Sequence, residues 1–300
     1  MTPKLSRRDL LGAGAAAAGL AMAGCRSEAL ATFIQTRLAE LDPAALAARL
    51  REMEAAYSER FGKAVTVAGT PAAEGVLFAY GLDLDRCNGN RKCVEACVQE
   101  NNQSRSTPDG PPDMPIHWID VFEMEKSRGV DLDHADRYFD REQVPAEGHF
   151  YFPVQCQQCD NPPCVKVCPV EATWKEPDGI VVIDYDWCIG CRCCMSACPY
   201  GARHFNWTEP ALPAEEMNPV THVLGNRPRP RGVVEKCTFC IQRTRAGQYP
   251  ACHDACPTGA RVFGNLLDPA SEIRQLIERK RVFILKAELN TRPSFFYFYG

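Results

Sequence analysis

Several features that assign a chain of 300 residues to a common functional class are missing from this sequence. It has no C-x-x-C-H motif for covalent haem and no G-x-G-x-x-G loop for a flavin or nicotinamide. Its net charge of -4 gives no basic footprint for nucleic acid. Beyond the N-terminal segment, no stretch reaches the roughly 18 apolar residues of a membrane span. These absences argue against a protein with covalent haem, a flavin or nicotinamide enzyme and a nucleic-acid-binding protein.

Cysteine, by contrast, is abundant, with 17 residues in the chain. Cysteine-rich sequences form disulfide frameworks, zinc modules or iron–sulfur carriers, and cysteine spacing distinguishes among the three. Most of the cysteines fall into four motifs, one of which has an asparagine at a cysteine position. The motifs are Cys87-x2-Asn90-x2-Cys93-x3-Cys97, Cys156-x2-Cys159-x4-Cys164-x3-Cys168, Cys188-x2-Cys191-x2-Cys194-x3-Cys198 and Cys237-x2-Cys240-x11-Cys252-x3-Cys256.

The third motif, with the proline that follows it, is the C-x2-C-x2-C-x3-C-P signature of bacterial ferredoxins. Three thiolates on one short loop can hold three irons of a cubane, and the fourth cysteine reaches a neighbouring cluster. The proline suits the first position of a helix, so we expect each fourth cysteine to begin one. A disulfide among Cys188, Cys191 and Cys194 would be strained, and zinc sites separate their C-x2-C pairs widely. The spacing therefore indicates iron–sulfur clusters held by paired motifs.

Three stretches, Cys156–Phe205, Glu235–Cys240 and Pro250–Arg261, resemble the iron–sulfur subunits of the dimethyl sulfoxide reductase and polysulfide reductase type. Similar subunits occur in periplasmic hydrogenases. The resemblance covers about residues 80–270. It implies tandem bacterial-ferredoxin-like repeats, each binding two clusters, in which the two middle motifs pair with each other and the two outer motifs do the same.

Carried over to this sequence, the resemblance implies four ligand sets, which we name sites 1 to 4. Site 1 is Cys156, Cys159, Cys164 and Cys198; site 2 is Cys188, Cys191, Cys194 and Cys168; site 3 is Cys237, Cys240, Cys252 and Cys97; site 4 is Cys87, Cys93 and Cys256, with Asn90 at the vacant place. We expect three [4Fe–4S] clusters and a [3Fe–4S] cluster at site 4. The alternatives at site 4 are a [4Fe–4S] cluster completed by water or Asn90, and no cluster at all.

Five further residues near the motifs are not counted among the ligands. Cys193 is one residue out of register, and we expect a spare buried thiol rather than a ligand. Four basic residues either compensate cluster charge or are simply solvated: Arg203, Arg261, Lys236 and Arg243.

Residues 1–25 have the pattern of a targeting segment. Arg7 and Arg8 precede an apolar stretch rich in Ala and Gly, which resembles the twin-arginine export signal of folded bacterial proteins. Two processing sites remain open. Ala21-Met22-Ala23 fits A-x-A cleavage, whereas Met22-Ala23-Gly24-Cys25 resembles a lipobox in which Cys25 becomes lipidated. The segment predicts a periplasmic, membrane-associated protein.

Four segments are expected along the chain. Residues 1–25 form the signal peptide, 26–76 a helical hairpin and linker, 77–270 the four-motif iron–sulfur domain, and 271–300 a C-terminal helix and aromatic docking tail. Alternating apolar runs within the domain predict short strands, and the Pro- and Arg-rich stretch 206–232 predicts a surface loop. The predicted fold class is therefore α+β, with short β-hairpins after an N-terminal helical hairpin.

These features predict an electron-transfer subunit rather than an enzyme by itself, since nothing signals a substrate cavity with acid–base groups. By resemblance, its partners are a multi-span quinone-reactive membrane subunit and a catalytic molybdopterin, hydrogenase or cytochrome subunit. Two alternatives stay open. One is a self-contained reductase whose substrate binds at the incomplete site 4, and the other is a structural scaffold with vestigial clusters.

Overall fold

The computed structural model describes residues 37–105, 115–140 and 143–300. The predicted signal peptide, Cys25 and most of the first arm of the predicted hairpin lie outside these residues. Of that arm, only a 3₁₀ turn, Leu38–Glu40, is described. Within the described residues, no helix has both the length and the apolar character needed to span a membrane.

The regular elements of the described residues are short, apart from the first helix. The helices are α1 (Pro43–Phe61), α2 (Lys92–Glu100), α3 (Pro163–Lys166), α4 (Cys193–Ala197), α5 (Ile241–Thr244), α6 (Ala251–Asp254) and α7 (Glu272–Arg279). The strands are β1 (Thr66–Ala68), β2 (Phe78–Asp83), β3 (Asp120–Glu125), β4 (His149–Val154), β5 (Thr173–Lys175), β6 (Val181–Ile183), β7 (His204–Phe205), β8 (Val220–His222), β9 (Val234–Glu235), β10 (Arg261–Asn265) and β11 (Phe295–Phe298).

Helix α1 begins and ends where the sequence predicts a helix. The Asp42 carboxylate accepts two backbone N–H bonds of the first turn, at 2.8 and 2.9 Å, and Pro43 occupies the first helical position. Gly62 ends the helix in the left-handed conformation, at φ 63°. Phe61 packs against Met217 from a distant part of the chain. Tertiary packing therefore adds to a helix whose ends are set locally.

A three-stranded sheet has β2 in the middle, antiparallel to β10 and parallel to β11. Strand β11 is the aromatic tail, and its Phe295 ring stacks on the buried Tyr80 ring of β2 with centroids 5.0 Å apart. The tail thus docks within its own chain. The other strands form two-stranded ladders, β3–β4, β5–β6 and β7–β9 antiparallel and β1–β8 parallel.

Cys168, Cys198 and Cys256 each follow a short helix, and Cys97 lies within α2, so the expectation that the fourth cysteines begin helices is wrong. After Cys198 the chain turns tightly, with the Gly201 N–H donating to the Cys198 carbonyl and Pro199 at the second turn position. The same hydrogen bond closes turns after Cys168 and Cys256. Proline's fixed φ suits this turn as well as it suits a helix start. After Cys97, where the proline is missing, α2 continues for another turn.

The Pro- and Arg-rich stretch 206–232 is only partly a surface loop, which corrects a second expectation. Residues 221–229 are buried throughout. Arg229 is 2 % exposed and pairs with Glu235, which is fully buried. Its guanidinium also donates to the carbonyls of Asn101 at 2.7 Å and Asn102 at 2.6 Å. The arginine is buried because each of these groups supplies a partner.

Candidate iron–sulfur sites

The fold gathers the predicted cysteines around cavities. One cavity is lined by all four cysteines of site 1, and another by all four of site 2. A third is lined by the three cysteines of site 4 together with Asn90. The residues of the incomplete site therefore surround a cavity as those of the complete sites do. Every cysteine of the described residues is a free thiol.

Site 3 is the most deeply buried set, with each of its cysteines at most 5 % exposed. Asn101 Nδ2 lies 3.5 Å from both Cys97 Sγ and Cys240 Sγ. Gln103 Nε2 donates to Cys97 Sγ at 3.1 Å, and the Tyr80 hydroxyl lies 3.2 Å from Cys252 Sγ. None of these three polar residues belongs to a cysteine motif, so no sequence pattern indicated their roles.

Burial changes the acidity of several of the thiols. It raises the pKa of Cys87 to about 11 and those of Cys159 and Cys237 to about 12. Burial also acts to raise the pKa of Cys256, but hydrogen bonds from the Thr258 hydroxyl and nearby backbone amides outweigh it and lower that pKa. Cys87, Cys159 and Cys237 therefore keep their protons at neutral pH, and metal binding has to displace them.

The thiols of adjacent sites interact electrostatically. Burial is the main cause that raises the pKa values of Cys252 and Cys237 in site 3, and the negative charges of Cys93 in site 4 and of Cys156 in site 1, respectively, act in the same direction. Burial likewise raises the pKa of Cys194 in site 2, and the charge of Cys164 in site 1 acts in the same direction. Site 3 therefore has sites 4 and 1 as neighbours, and site 1 also has site 2.

The arrangement of the thiols fits clusters better than single ions. In the part of the chain that the structure describes, no three His, Cys, Asp or Glu side chains converge on a point that could hold one metal ion. Thiols spaced around a cavity suit a cluster in which each iron takes one thiolate. Sites 1, 2 and 3 have the donors of a [4Fe–4S] cluster, and site 4 lacks one. Such clusters supply reversible electron transfer.

The loops of motifs one and three have the same backbone form. Arg91 and Arg192 both adopt the left-handed conformation, at φ 60° and 63°, directly before α2 and α4. Asn90 therefore corresponds to Cys191. Lys92 corresponds to Cys193, whose thiol is exposed. The expectation that Cys193 is buried is wrong, since it is exposed at the start of α4 and is not among the residues that line the cavity with Cys194.

Three of the four basic residues near the motifs are buried. Arg203, Arg261 and Lys236 are each at most 4 % exposed, and Lys236 donates to the carbonyls of Val181 and Cys237. Arg243 is a quarter exposed and forms ion pairs with acidic side chains. The first three are thus not solvated.

A Gly190→Ala variant should lose the metal of site 2. The added methyl would lie 2.1 Å from the Gly232 carbonyl oxygen, so the loop that carries Cys188 and Cys191 must shift. Gly201→Ala is the matched control, since Gly201 has a similar φ of +62° but nothing within 4 Å. Both variants bear the left-handed strain of about 1–2 kcal/mol. We expect about four fewer irons per chain in Gly190→Ala alone; equal iron contents would contradict the steric argument.

Comparison with known proteins supports iron–sulfur clusters in this domain. Two models of the 4Fe–4S dicluster domain match the chain, one over residues 86–172 and the other over 148–217 and 226–266. An iron–sulfur subunit assigned to a dimethyl sulfoxide reductase in Halobacterium salinarum is 43 % identical over 223 residues, covering 74 % of this chain and 79 % of the relative.

Two further relatives have similar coverage. The menaquinone reductase iron–sulfur cluster-binding subunit of Nitratidesulfovibrio vulgaris is 37 % identical over 235 residues, 72 % of this chain and 86 % of the relative. The arsenate respiratory reductase iron–sulfur subunit of a Shewanella species is 35 % identical over 242 residues, with 72 % and 93 % covered. These matches define the class as an iron–sulfur electron carrier built from dicluster domains, not a catalytic subunit. The chain belongs to the family of iron–sulfur subunits of oxidoreductase complexes of the dimethyl sulfoxide reductase type.

Proposed function

We propose that this chain relays electrons through four clusters, bound by the cysteines of sites 1 to 4, in the order site 4, site 3, site 1, site 2. The observation that carries the proposal is the match between ligand sets and cavities: three separate cavities are each lined by the complete set that the motif pairing implies. The electrostatic interactions between thiols of adjacent sites support a continuous path.

The exposed surface at the end of the row supports exchange of electrons with a partner. Cys191 of site 2 is exposed, and the nearby Ile189 and Trp207 are 63 % and 51 % exposed. A redox partner can therefore approach site 2 closely. In our proposal the two partners are a multi-span quinone-reactive membrane subunit and a catalytic molybdopterin, hydrogenase or cytochrome subunit.

The cofactors of the proposal are three [4Fe–4S] clusters and one [3Fe–4S] cluster at site 4. The purified full chain should then contain about fifteen irons, four at each of three sites and three at the last. Electron paramagnetic resonance during a potentiometric titration should resolve four reversible centres, and no small substrate should be turned over. Fewer than four reversible centres, or turnover by the isolated chain, would refute the four-cluster relay.

For the cell, we propose export by the twin-arginine route to a periplasmic, membrane-associated location, with lipidation at Cys25. The segment boundaries given in the sequence analysis, with a first hairpin arm before α1, are part of the same proposal.

Replacing Arg7 and Arg8 by Lys should retain the protein with its clusters in the cytoplasm, because the twin-arginine route requires the arginine pair. Cell fractionation measures this, with the unaltered chain as control. A periplasmic variant would exclude the route, and a mature N-terminus without acyl groups would exclude the lipid.

A further inference from the structure

Two buried arginines occupy equivalent places in the repeats. Arg203 and Arg261 each lie five residues after a fourth cysteine, in the segments Cys198–Arg203 and Cys256–Arg261, which share the pattern C-P-x-G-A-R. Both side chains are 4 % exposed. In the second motif the same position is Thr173, and its hydroxyl accepts a hydrogen bond from Arg203 at 3.0 Å. The repeat thus puts one guanidinium into each half of the domain.

Arg203 lies between site 1 and site 2. It lines the cavities of both sites, and one of its terminal nitrogens donates to Cys164 Sγ at 3.1 Å. The thiolates that act on it come from both sites, Cys164 and Cys156 from site 1 and Cys194 from site 2. Its Nε and other terminal nitrogen have no hydrogen-bond partner among the described residues. Buried N–H groups without partners are rare, and these belong to a cation at the edge of two cavities.

Arg261 has the same relation to site 3 and site 4. It lines the cavity of site 4, and one terminal nitrogen lies 3.8 Å from Cys252 Sγ of site 3 while donating to Gln155 Oε1 at 3.1 Å. The other terminal nitrogen has no partner among the residues that the structure describes. Its guanidinium carbon lies 5.5 Å from the ring centroid of Tyr80, the residue whose hydroxyl reaches Cys252.

A fixed positive charge between two clusters stabilises the reduced form of both. Reduction adds a negative charge to a cluster, and a buried cation interacts with that charge through a low effective dielectric. Hydrogen bonds to cluster sulfurs and the net charge around a cluster are among the factors that set its potential. Arginine keeps its charge at all ordinary pH values, so its effect does not depend on pH.

We propose that the fixed positive charges of Arg203 and Arg261 each act on two adjacent clusters. Each arginine raises the reduction potentials of both clusters of its pair. Arg203 serves sites 1 and 2, and Arg261 serves sites 3 and 4. The inference depends on the cluster assignment in the proposed function. It adds that the four potentials are set in two independent pairs.

The test is a potentiometric titration of the purified full chain followed by electron paramagnetic resonance. Arg203→Gln removes the charge but keeps an N–H donor for Cys164, whereas Arg203→Lys keeps the charge and loses the planar fork. We expect Gln to shift the potentials of two centres to lower values and Lys to shift the same two less. Arg261→Gln should shift the other two. Arg243→Gln, a partly exposed arginine with carboxylate partners, is the control for net charge and should shift none.

The outcomes separate this inference from the proposed function. Four intact centres whose potentials stay unchanged in both Gln variants, or all shift equally, would overturn the inference and leave the relay in place. Fewer centres in the unaltered chain would count against the relay itself. If a Gln variant fails to assemble, the Lys variants decide. The inference is supported if each Lys variant shifts the potentials of two centres and the two variants affect different pairs. It is refuted if both variants shift the potentials of the same centres.

Discussion

An Asn90→Cys variant should convert the [3Fe–4S] cluster that we propose at site 4 into a [4Fe–4S] cluster. The fourth thiolate would hold the iron that is otherwise lost, because cluster iron prefers thiolate to a neutral carboxamide. The near-isotropic signal of the oxidised protein should disappear, one iron per chain should be gained, and a reduced cubane signal should replace the lost one. The potential of this centre should fall, because a negatively charged ligand is added.

The local structure explains why Asn90 is a poor ligand and why cysteine would be a good one. The Asn90 Oδ1 accepts the Lys92 amide at 2.9 Å, at the start of α2, and its Nδ2 donates to the Asn88 side chain. The carboxamide is therefore occupied within its own loop. Because this loop has the backbone form of the loop that carries Cys191, a thiol at position 90 should point into the cavity as Cys191 does.

Lys92→Cys provides a matched control, since it adds a thiol two residues away at the exposed position equivalent to Cys193. It should leave the iron content and the oxidised-state signal unchanged. An identical spectroscopic change in both variants would show that any extra thiol in the loop is enough. A persistent three-iron signal in Asn90→Cys would contradict the assignment of position 90 as the missing ligand position.

The cysteines that line the three cavities could be predicted from the sequence, because the spacing within each motif is local. Thiolates on one loop of fixed spacing can reach only a nearby cluster, so the motif and the family's pairing rule name the residues that later line each cavity. The same spacing predicted Cys194 rather than Cys193 as a ligand. It did not predict that Cys193 is exposed. Its side-chain direction depends on the left-handed Arg192, which the pattern does not reveal.

The environment of the clusters was not accessible in this way. Pro and Arg within 206–232 are typical of a solvated loop, yet the buried run 221–229 contributes partners to residues far away in the chain. Arg229 meets Asn101, whose carbonyl and carboxamide link it to site 3. Such contacts depend on which distant segments meet in the fold, and no local sequence pattern predicts them. The turns after the fourth cysteines show the same limit, since proline fits both a helix start and a turn.

Arg229→Met should produce a large loss of stability, about 3–5 kcal/mol in the free energy of unfolding. The substitution leaves the Glu235 carboxylate without its cation in a fully buried position, and it removes the donor to the Asn101 and Asn102 carbonyls. Urea unfolding followed by circular dichroism, with bleaching of the visible cluster absorbance as a second probe, measures the change. Site 3 should be lost first, since Asn101 contacts two of its thiols.

Two further variants and the pH dependence test the cause of that loss. Arg60→Met breaks the exposed pair with Glu209 and should cost about 1 kcal/mol or less. Adding Glu235→Gln to Arg229→Met should recover part of the stability, because no charge is then buried alone.

Burial already raises the pKa of Glu235 against the opposing effect of Arg229, and without Arg229 this pKa should rise further. A carboxyl group whose pKa is raised in the folded state contributes most to the stability of the protein at low pH, and this contribution falls as the pH increases. The deficit of Arg229→Met should therefore shrink as the pH is lowered towards 4.5, the ordinary value for Glu235; a deficit independent of pH would assign the loss to the carbonyl contacts instead.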